Sequence, residues 1–591
     1  MAKENKNITG KVYDYKLFTR LMSYAKGYKS QFYIAVIAVV LLALFAVVRP
    51  ILLREIIDNY ITNKNGEQLL AYAIIMLVVL LFEVFFQFLF IYFANWLGQN
   101  IIKDMRTQLF KHLLHFKMQY FNKSAVGKLV TRVVSDIETI ASVFGQGLFM
   151  IISDLLKMIV VAIVMLWMNW QLALIVFSIL PILIFATKIF QKAMKSAFQE
   201  VRTEVANLNS FVQERITGMR IIQLFTREKI EYDKFNAINE KHKKAWIKTV
   251  WYNSIFFPIA EVLPSIAIGL VVWYGGLNAA VDSSVTVGEI ISFIMMNNML
   301  FRPLRQIADK FNTLQMGMVA AERVFKIIDA DEKEVDLGNN KTASFKGNVS
   351  FKDVRFSYVK DEEVIKGISF DVNAGDTVAI VGATGAGKST IINLLNRFYT
   401  IEKGVIKIDG IDVSDYHLHE LRSQIAVVLQ DVFLFSDSIF NNITLKDTSI
   451  SLEEVKSAAK EIGIHDFIMS LPNDYHYNVK ERGVMLSVGQ RQLIAFLRAS
   501  VSKPSILILD EATSSIDSQS ERLIQDATEK ITKNRTSIII AHRLATIKKA
   551  DMIIVMEDGK IVEQGTHKEL LDKKGYYSRL YNIQFIQKKA S

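Results

Sequence analysis

The sequence predicts a membrane domain of six spanning α-helices followed by an α/β domain of the phosphate-loop type. Three observations predict it. Apolar residues, 51% of the 591, crowd into the first half of the chain in runs long enough to cross a bilayer. Beyond residue 347 the pattern changes to short β-rich runs alternating with helical stretches. Between a buried-type strand, 377–381, and a helical run, 391–395, stands Gly382-Ala383-Thr384-Gly385-Ala386-Gly387-Lys388-Ser389, which matches G-x-x-x-x-G-K-[ST].

A helix needs about 20 apolar residues to cross a hydrocarbon core of about 30 Å. The segments that qualify are 32–53, 69–97, 143–168, 170–190, 251–279 and 287–308. The first apolar run is followed by Arg49-Pro50 rather than a small-residue cleavage site, so it reads as a crossing and not as a cleavable signal. Only Asn169-Trp170 separates the third and fourth segments, which predicts a tight helical hairpin.

Basic residues set the orientation. They are dense before residue 30 (Lys3, Lys6, Lys11, Lys16, Arg20, Lys26, Lys29), between the second and third crossings (Lys103 to Arg132), and across 188–248. The opposite connections carry only Arg54 and Lys64. Both termini and both long loops are therefore expected in the cytoplasm. This topology absorbs much of the net charge of +11, so no nucleic-acid partner is expected. The loops 100–140 and 190–250 keep helical spacing with few Gly or Pro, and read as extensions of the spanning helices. The absence of cysteine excludes disulfides, thiolate metal sites and a Cys nucleophile. The polar stretch 331–347, containing Gly338-Asn339-Asn340, is the expected linker between a membrane domain, 1–330, and the α/β domain, 348–591.

The glycines of 382–389 let backbone N–H groups close around phosphate oxygens, and the helix N-terminus adds partial positive charge. In such a loop Lys388 reaches the β- and γ-phosphates and Ser389 holds Mg²⁺. The second half therefore binds a nucleotide. Ile506-Leu507-Ile508-Leu509-Asp510-Glu511 is an apolar strand ending in two carboxylates. Asp510 is placed to hold Mg²⁺ through water and Glu511 to polarise the water that attacks the γ-phosphate. Leu486-Ser487-Val488-Gly489-Gln490 precedes another helical run, 491–500.

The order phosphate loop, Gln430, LSVGQ, Asp510-Glu511, Ser514-Ser515-Ile516-Asp517, His542 resembles the nucleotide-binding domain of an ABC transporter. With six crossings before it, nearly the whole chain resembles an ABC exporter half-transporter: a six-helix exporter domain fused to an α/β P-loop nucleotide-binding domain. The resemblance implies ATP and Mg²⁺ as cofactors. It implies that Gly382, Thr384, Gly385, Gly387, Lys388, Ser389 and Thr390 surround the phosphates and that Tyr358 stacks on adenine. It further implies that Gln430 contacts Mg²⁺ and the attacking water, His542 contacts the γ-phosphate, and Asp517 communicates across a dimer interface. Segments 120–140 and 211–229 resemble the loops bearing coupling helices, and Glu481-Arg482-Gly483 the loop that senses them.

In this family two such domains sandwich two ATP molecules, each held between one domain's phosphate loop and the other's signature. Ser487, Gly489 and Gln490 would form that second surface, and a functional unit needs a second half-transporter chain. Val488 departs from the usual LSGGQ. Glycine there allows close backbone approach, whereas a β-branched residue restricts it. An intact Glu511 beside an altered signature favours a heterodimer with one degenerate site over a homodimer.

The implied activity is ATP-driven export of drugs or other amphipathic compounds by alternating access, in contact with membrane lipid, in a multi-pass membrane protein of a bacterial cytoplasmic membrane. The alternatives are a lipid or lipid-linked flippase, and an ATP-gated channel or regulatory membrane ATPase. Within the crossings, Asp154 and Lys157 stand three apart and can neutralise each other. Glu83 or Glu261 is expected to face the transport path and favour cationic substrates, because an intramembrane charge is costly unless it serves a cavity or partner.

Overall fold

Helix length decides the architecture of the first part of the chain. The computed structural model describes residues 15–62, 66–281, 285–336, 338–342, 344–510, 518–541 and 544–582. It divides into two units, the first running to Leu114 and over Ser124–Asp331, the second comprising His115–Lys123 and the chain from Glu332 onward. In the first unit the long helices are α1 (Lys29–Glu55), α2 (Gly66–Leu113), α3 (Phe149–Met168), α4 (Trp170–Thr217), α5 (Glu228–Val281) and α6 (Val287–Ile328). At 1.5 Å per residue α4 is about 70 Å long and α5 about 80 Å, more than twice the hydrocarbon thickness. Most of 100–140 and 190–250 is thus helical, as the periodicity of those segments predicts.

The hairpin between α3 and α4 turns on Asn169 alone. Its backbone is extended and its side-chain oxygen accepts from the N–H groups of Gln171 and Leu172, both at 3.1 Å. That caps two of the donors a helix start leaves unpaired. Val161, Met165, Leu172, Val176, Ala260, Val271, Phe293 and Met296 pack as the core of α3 to α6, and the Phe190 and Phe256 rings stack at 3.9 Å. Leu77, Leu81, Phe85 and Phe88 of α2 are exposed, as a lipid-facing surface requires.

Among the described residues, five continuous helical stretches are long and apolar enough to cross a membrane: Tyr15–Ile61, Gln68–Leu113, Val126–Met168, Trp170–Thr217 and Glu228–Val281. The third begins earlier than its apolar run, because Val126–Thr131 joins α3 through π-helical turns at Arg132–Asp136 and Val143–Leu148. Helix α6, expected as the sixth crossing, falls outside this set. Its polar residues turn inward: Glu289 pairs with Arg54 of α1 at 2.8 Å, Ser292 donates to the Pro50 carbonyl at 2.6 Å, and Asn297 donates to the Pro264 carbonyl at 3.2 Å. Neighbouring helices supply the partners that lipid cannot.

Two expectations about intramembrane charge are corrected. Asp154 pairs with Lys310 of α6, not with Lys157. Glu83 is engaged by Arg49 at 3.2 Å, so its charge is balanced within the chain; this removes the reason to assign it to a cationic substrate.

The second unit contains two sheets. Four antiparallel strands lie in the order β2 (Glu363–Val372), β1 (Val349–Ser357), β4 (Lys403–Ile408), β5 (Ile411–Asp412). The larger sheet has the order β10 (Lys560–Gly565), β9 (Met552–Glu557), β3 (Thr377–Gly382), β8 (Thr536–Ile540), β7 (Ile506–Asp510), β6 (Ile425–Val428). It is parallel except for β10.

Side chains alternate across that sheet. Val378 and Ile380 of β3 join the core shared with β1, β2 and helix α7 (Lys388–Leu395). Ala379 and Val381 join the opposite core, which contains helix α8 (Val488–Val501).

The polar linker is pinned at several of its described residues. Glu334 takes a two-pronged contact from Arg422 at 3.0 and 2.5 Å. Asp336 accepts from Arg397 at 3.1 Å and from the Leu418 N–H at 2.9 Å, and Phe345 enters the core. Burial acts to raise the Asp336 pKa, but the Leu418 N–H and the Arg397 guanidinium hold it below the ordinary carboxylate value.

Candidate functional site

Because β3, β6, β7 and β8 run parallel, their carboxyl ends share one edge of the sheet. Ligand sites of open α/β sheets form at that edge. The loop 382–387 leaves β3 there, Gln430 follows β6 by two residues and is exposed, and Asp510 ends β7. His542 would follow β8, but it lies outside the described residues, as do Glu511, Ser514, Ser515, Ile516 and Asp517.

The loop needs its glycines for two separate reasons. Gly387 caps α7 in the left-handed region (φ 96°), and a Cβ there would stand 2.8 Å from Ile365 Cδ1. At Gly382 a Cβ would lie 2.3 Å from the Met556 carbonyl oxygen. Lys388, only 8% exposed, donates to the carbonyls of Gly382 at 2.7 Å and Ala383 at 3.0 Å. Burial lowers its pKa, opposed by the nearby Asp510 carboxylate. Ser389 is exposed on the first helical turn, Thr384 and Gly385 are exposed in the loop, and Thr390 is buried. The result is a glycine-rich loop, a lysine and a helix N-terminus gathered at one place, which can cradle an anion.

Tyr358 follows β1 and comes to the same helix. Its hydroxyl donates to Thr390 Oγ1 at 3.3 Å and accepts from Asn393 at 3.1 Å. Its ring meets Tyr399 edge-on at 4.9 Å and Phe356 at 4.8 Å. Tyr399 accepts from Asn122, in the short helix Met118–Lys123, at 2.5 Å. Sequence reasoning missed Asn393 and Tyr399, which hold the Tyr358 ring; no linear motif marks them.

Ser487 and Gln490 cap α8 reciprocally. The Ser487 hydroxyl accepts from the Gln490 N–H at 3.2 Å, and the Gln490 side chain accepts from the Ser487 N–H at 2.9 Å. This capping box holds the helix start open to an anion. Gly489 is buried, and Val488 is 46% exposed in an ordinary helical first position. The side chain that departs from the motif thus costs this fold nothing and projects outward. Just upstream, Arg491 donates to the Leu486 carbonyl at 3.0 Å and bears on the 3₁₀ turn Glu481–Gly483. Half-buried Arg498, also missed, donates to the Asn442 carbonyl at 2.8 Å and to the Phe433 carbonyl at 3.3 Å. It ties α8 to the segment after Gln430.

A phosphate-type loop at the edge of a parallel sheet, joined to helices built for a bilayer, defines a multi-pass membrane protein powered by a nucleotide. Two family models match: ABC transporter transmembrane region over 32–304 and ABC transporter over 365–514. The chain is 36% identical to the uncharacterized ABC transporter ATP-binding protein YknV of Bacillus subtilis, over 98% of this chain and 96% of that one. It is 34% identical to YgaD of the same organism, named provisionally as a multidrug export ATP-binding/permease protein, over 96% and 99% of the two chains. It is 32% identical to the ATP-dependent lipid A-core flippase of Thiobacillus denitrificans, over 97% and 99%. The chain belongs to the ABC transporters, with membrane and ATPase domains fused in one polypeptide. It binds ATP and couples its hydrolysis to transport, and half-transporters of this kind generally work as dimers.

Proposed function

We propose that the chain is one half of an exporter that moves amphipathic compounds out of the cytoplasm or inner leaflet by alternating access. The observation that carries this reading is the placement of α7 and α8 on opposite faces of one sheet. A nucleotide in the loop of one chain would then meet the Ser487-capped helix of a second chain. ATP binding closes such a pair and hydrolysis releases it.

In this reading the loop N–H groups of 382–387 and Lys388 hold the phosphates, with Thr390 behind them. Tyr358 offers its ring to adenine, a contact worth about 1–3 kcal/mol in base-stacking sites. The donor set fits Mg²⁺, a hard cation that prefers oxygen: the Ser389 hydroxyl and the Asp510 carboxylate would hold it, with Gln430 nearby. Mg²⁺ would supply charge neutralisation at the phosphates. Glu511 polarises the attacking water and His542 meets the γ-phosphate; Ser487, Gly489, Gln490 and Asp517 act across the pair. Helix α6 is the sixth crossing, shielded from lipid at its polar positions, and the basic loops keep both termini in the cytoplasm of a bacterial cytoplasmic membrane.

The exposed Val488 supports a heterodimer, because it alters only the surface offered to the partner. ATPase activity of the chain purified alone in lipid, with Lys388→Ala and Glu511→Gln as controls, tests the pairing. Little activity, restored by a co-expressed half-transporter with an intact LSGGQ motif, is expected; robust activity lost in both variants overturns the heterodimer. A second reading, lipid translocation, is favoured by the likeness to lipid A-core flippases. ATP-dependent loss of a fluorescent phospholipid from one leaflet, without accumulation of Hoechst 33342 in inverted vesicles, would select it.

A further inference from the structure

The linker is joined to chain elements on both sides in a way that tethering alone does not require. Residues 332–334 form an antiparallel bridge with 115–117: Phe116 pairs with Lys333, the Lys117 N–H donates to the Glu332 carbonyl, and the Glu334 N–H donates to the His115 carbonyl, both at 2.8 Å. The segment 115–117 continues directly from the end of α2 at Leu113, and the linker from the end of α6 at Ile328. Two membrane-domain helices therefore lead into one isolated antiparallel bridge.

On its other side the linker reaches the ATPase machinery through Arg422. The guanidinium grips both carboxylate oxygens of Glu334 at 3.0 and 2.5 Å. It also donates to the carbonyls of Asn396 at 3.2 Å and Arg397 at 3.3 Å, and lies 4.8 Å from the centre of the Phe398 ring. Asn396 and Arg397 end α7, the helix whose first residue is Lys388. Helix C-terminal carbonyls are unpaired and carry the negative end of the dipole, so Arg422 is a cap shared between that helix and the linker. Arg422 itself sits on the short helix Leu418–Ser423, which leads into β6 and Gln430. Arg397 repeats the arrangement, gripping Asp336 and donating to the Tyr416 carbonyl at 2.7 Å.

We propose that the linker segment 332–336 is a transmission element, with Glu334 and Arg422 as its positioning pair. Displacement of α2 and α6 shifts the segment, and the two-pronged contact passes that shift to the end of the phosphate-loop helix and to the segment leading into Gln430. A two-pronged arginine–carboxylate contact suits this role because it fixes orientation as well as distance. The inference rests on the exporter reading above, which supplies the conformational cycle.

The test uses the absence of cysteine in this chain. Trp170→Cys, at the hairpin of α3 and α4, and Leu70→Cys, near the start of α2, are both exposed and are spin-labelled together in full-length protein reconstituted in lipid nanodiscs with its pairing chain. The distance change on adding Mg-ATP and vanadate is measured beside ATPase turnover. Glu334→Gln is expected to keep kcat and the KM for ATP within about twofold while losing most of the distance change. Arg422→Lys keeps the charge but not the fork and is expected to separate the two readouts in the same way. A distance change as large as in the parent protein overturns the proposal. So does parallel loss of turnover and distance change in both variants, which marks a structural role only. If the parent protein itself shows no ATP-driven change, the exporter reading fails instead.

Discussion

Lys388 folds back over the loop it belongs to, donating to the Gly382 carbonyl at 2.7 Å. Its ammonium is already desolvated and aimed along the loop that an anion would enter. Binding a phosphate there exchanges carbonyl contacts for charge-assisted ones, without the cost of burying a new cation. Lys388→Ala should therefore lower ATP turnover by about 10²-fold or more, the scale seen when one preorganised donor is removed. Thermal stability should change little, because the carbonyls it meets border solvent-exposed loop residues. Turnover within a few-fold of the parent protein would contradict this placement.

The same desolvation gives a pH signature. Burial places the Lys388 pKa below its ordinary 10.5. Between that lowered value and 10.5 the unfolded chain binds more protons than the folded one, so nucleotide-free stability gains from this group as pH rises through that window. The penalty is fully present below the folded pKa. ATP affinity should move the opposite way, declining as Lys388 loses its proton. Nucleotide binding followed by fluorescence from pH 7 to 10.5, against a Lys388→Arg control that keeps its charge, checks the sign; identical pH profiles would refute it.

Val488→Gly should raise the ATPase rate of the chain in whichever site uses its own signature. Val488 is 46% exposed at the first position of α8, so the change frees space on the exposed side of the helix start. Its cost to the helix is about 0.5–1 kcal/mol at most. An unchanged rate in the purified chain and in the reconstituted pair would mean that valine is tolerated there.

Arg54→Ala should destabilise the membrane domain by about 2 kcal/mol, below the 3–5 typical when one partner of a fully buried pair is removed, because water reaches part of Arg54. Its partner Glu289 has a side chain only 8% exposed and is left uncompensated. The double variant Arg54→Gln with Glu289→Gln should recover most of the loss. Thermal unfolding in nanodiscs measures both, and equal melting temperatures for Arg54→Ala and the parent protein would rule the account out.

Much of this molecule was legible in the chain because its signals are local. Apolar length marks a crossing regardless of what surrounds it, and Asn169 reads as a hairpin from its neighbours alone. The phosphate loop spans eight consecutive residues, so strand, glycines and lysine announce one another. Ser487 and Gln490 stand three apart, the spacing of a capping box. Helix α6 was the weak case, since Glu289, Asn297, Asn298 and Arg302 dilute its apolar signal and only packing shows why it can carry them.

The order of the parts and the chemistry each can perform are written locally along the chain: apolar helices, a phosphate loop, an acid-ended strand and a serine-capped helix. Tertiary structure decided who meets whom. Asp154 finds Lys310, 156 residues away, rather than Lys157 on its own helix, and Glu83 finds Arg49. Arg422 binds a carboxylate 88 residues earlier. Strand alternation sends α7 and α8 to opposite faces of one sheet. The reason is physical: periodicity and motif spacing record which face or turn a residue occupies, whereas the partner of a buried charge is chosen by packing among elements far apart in the chain.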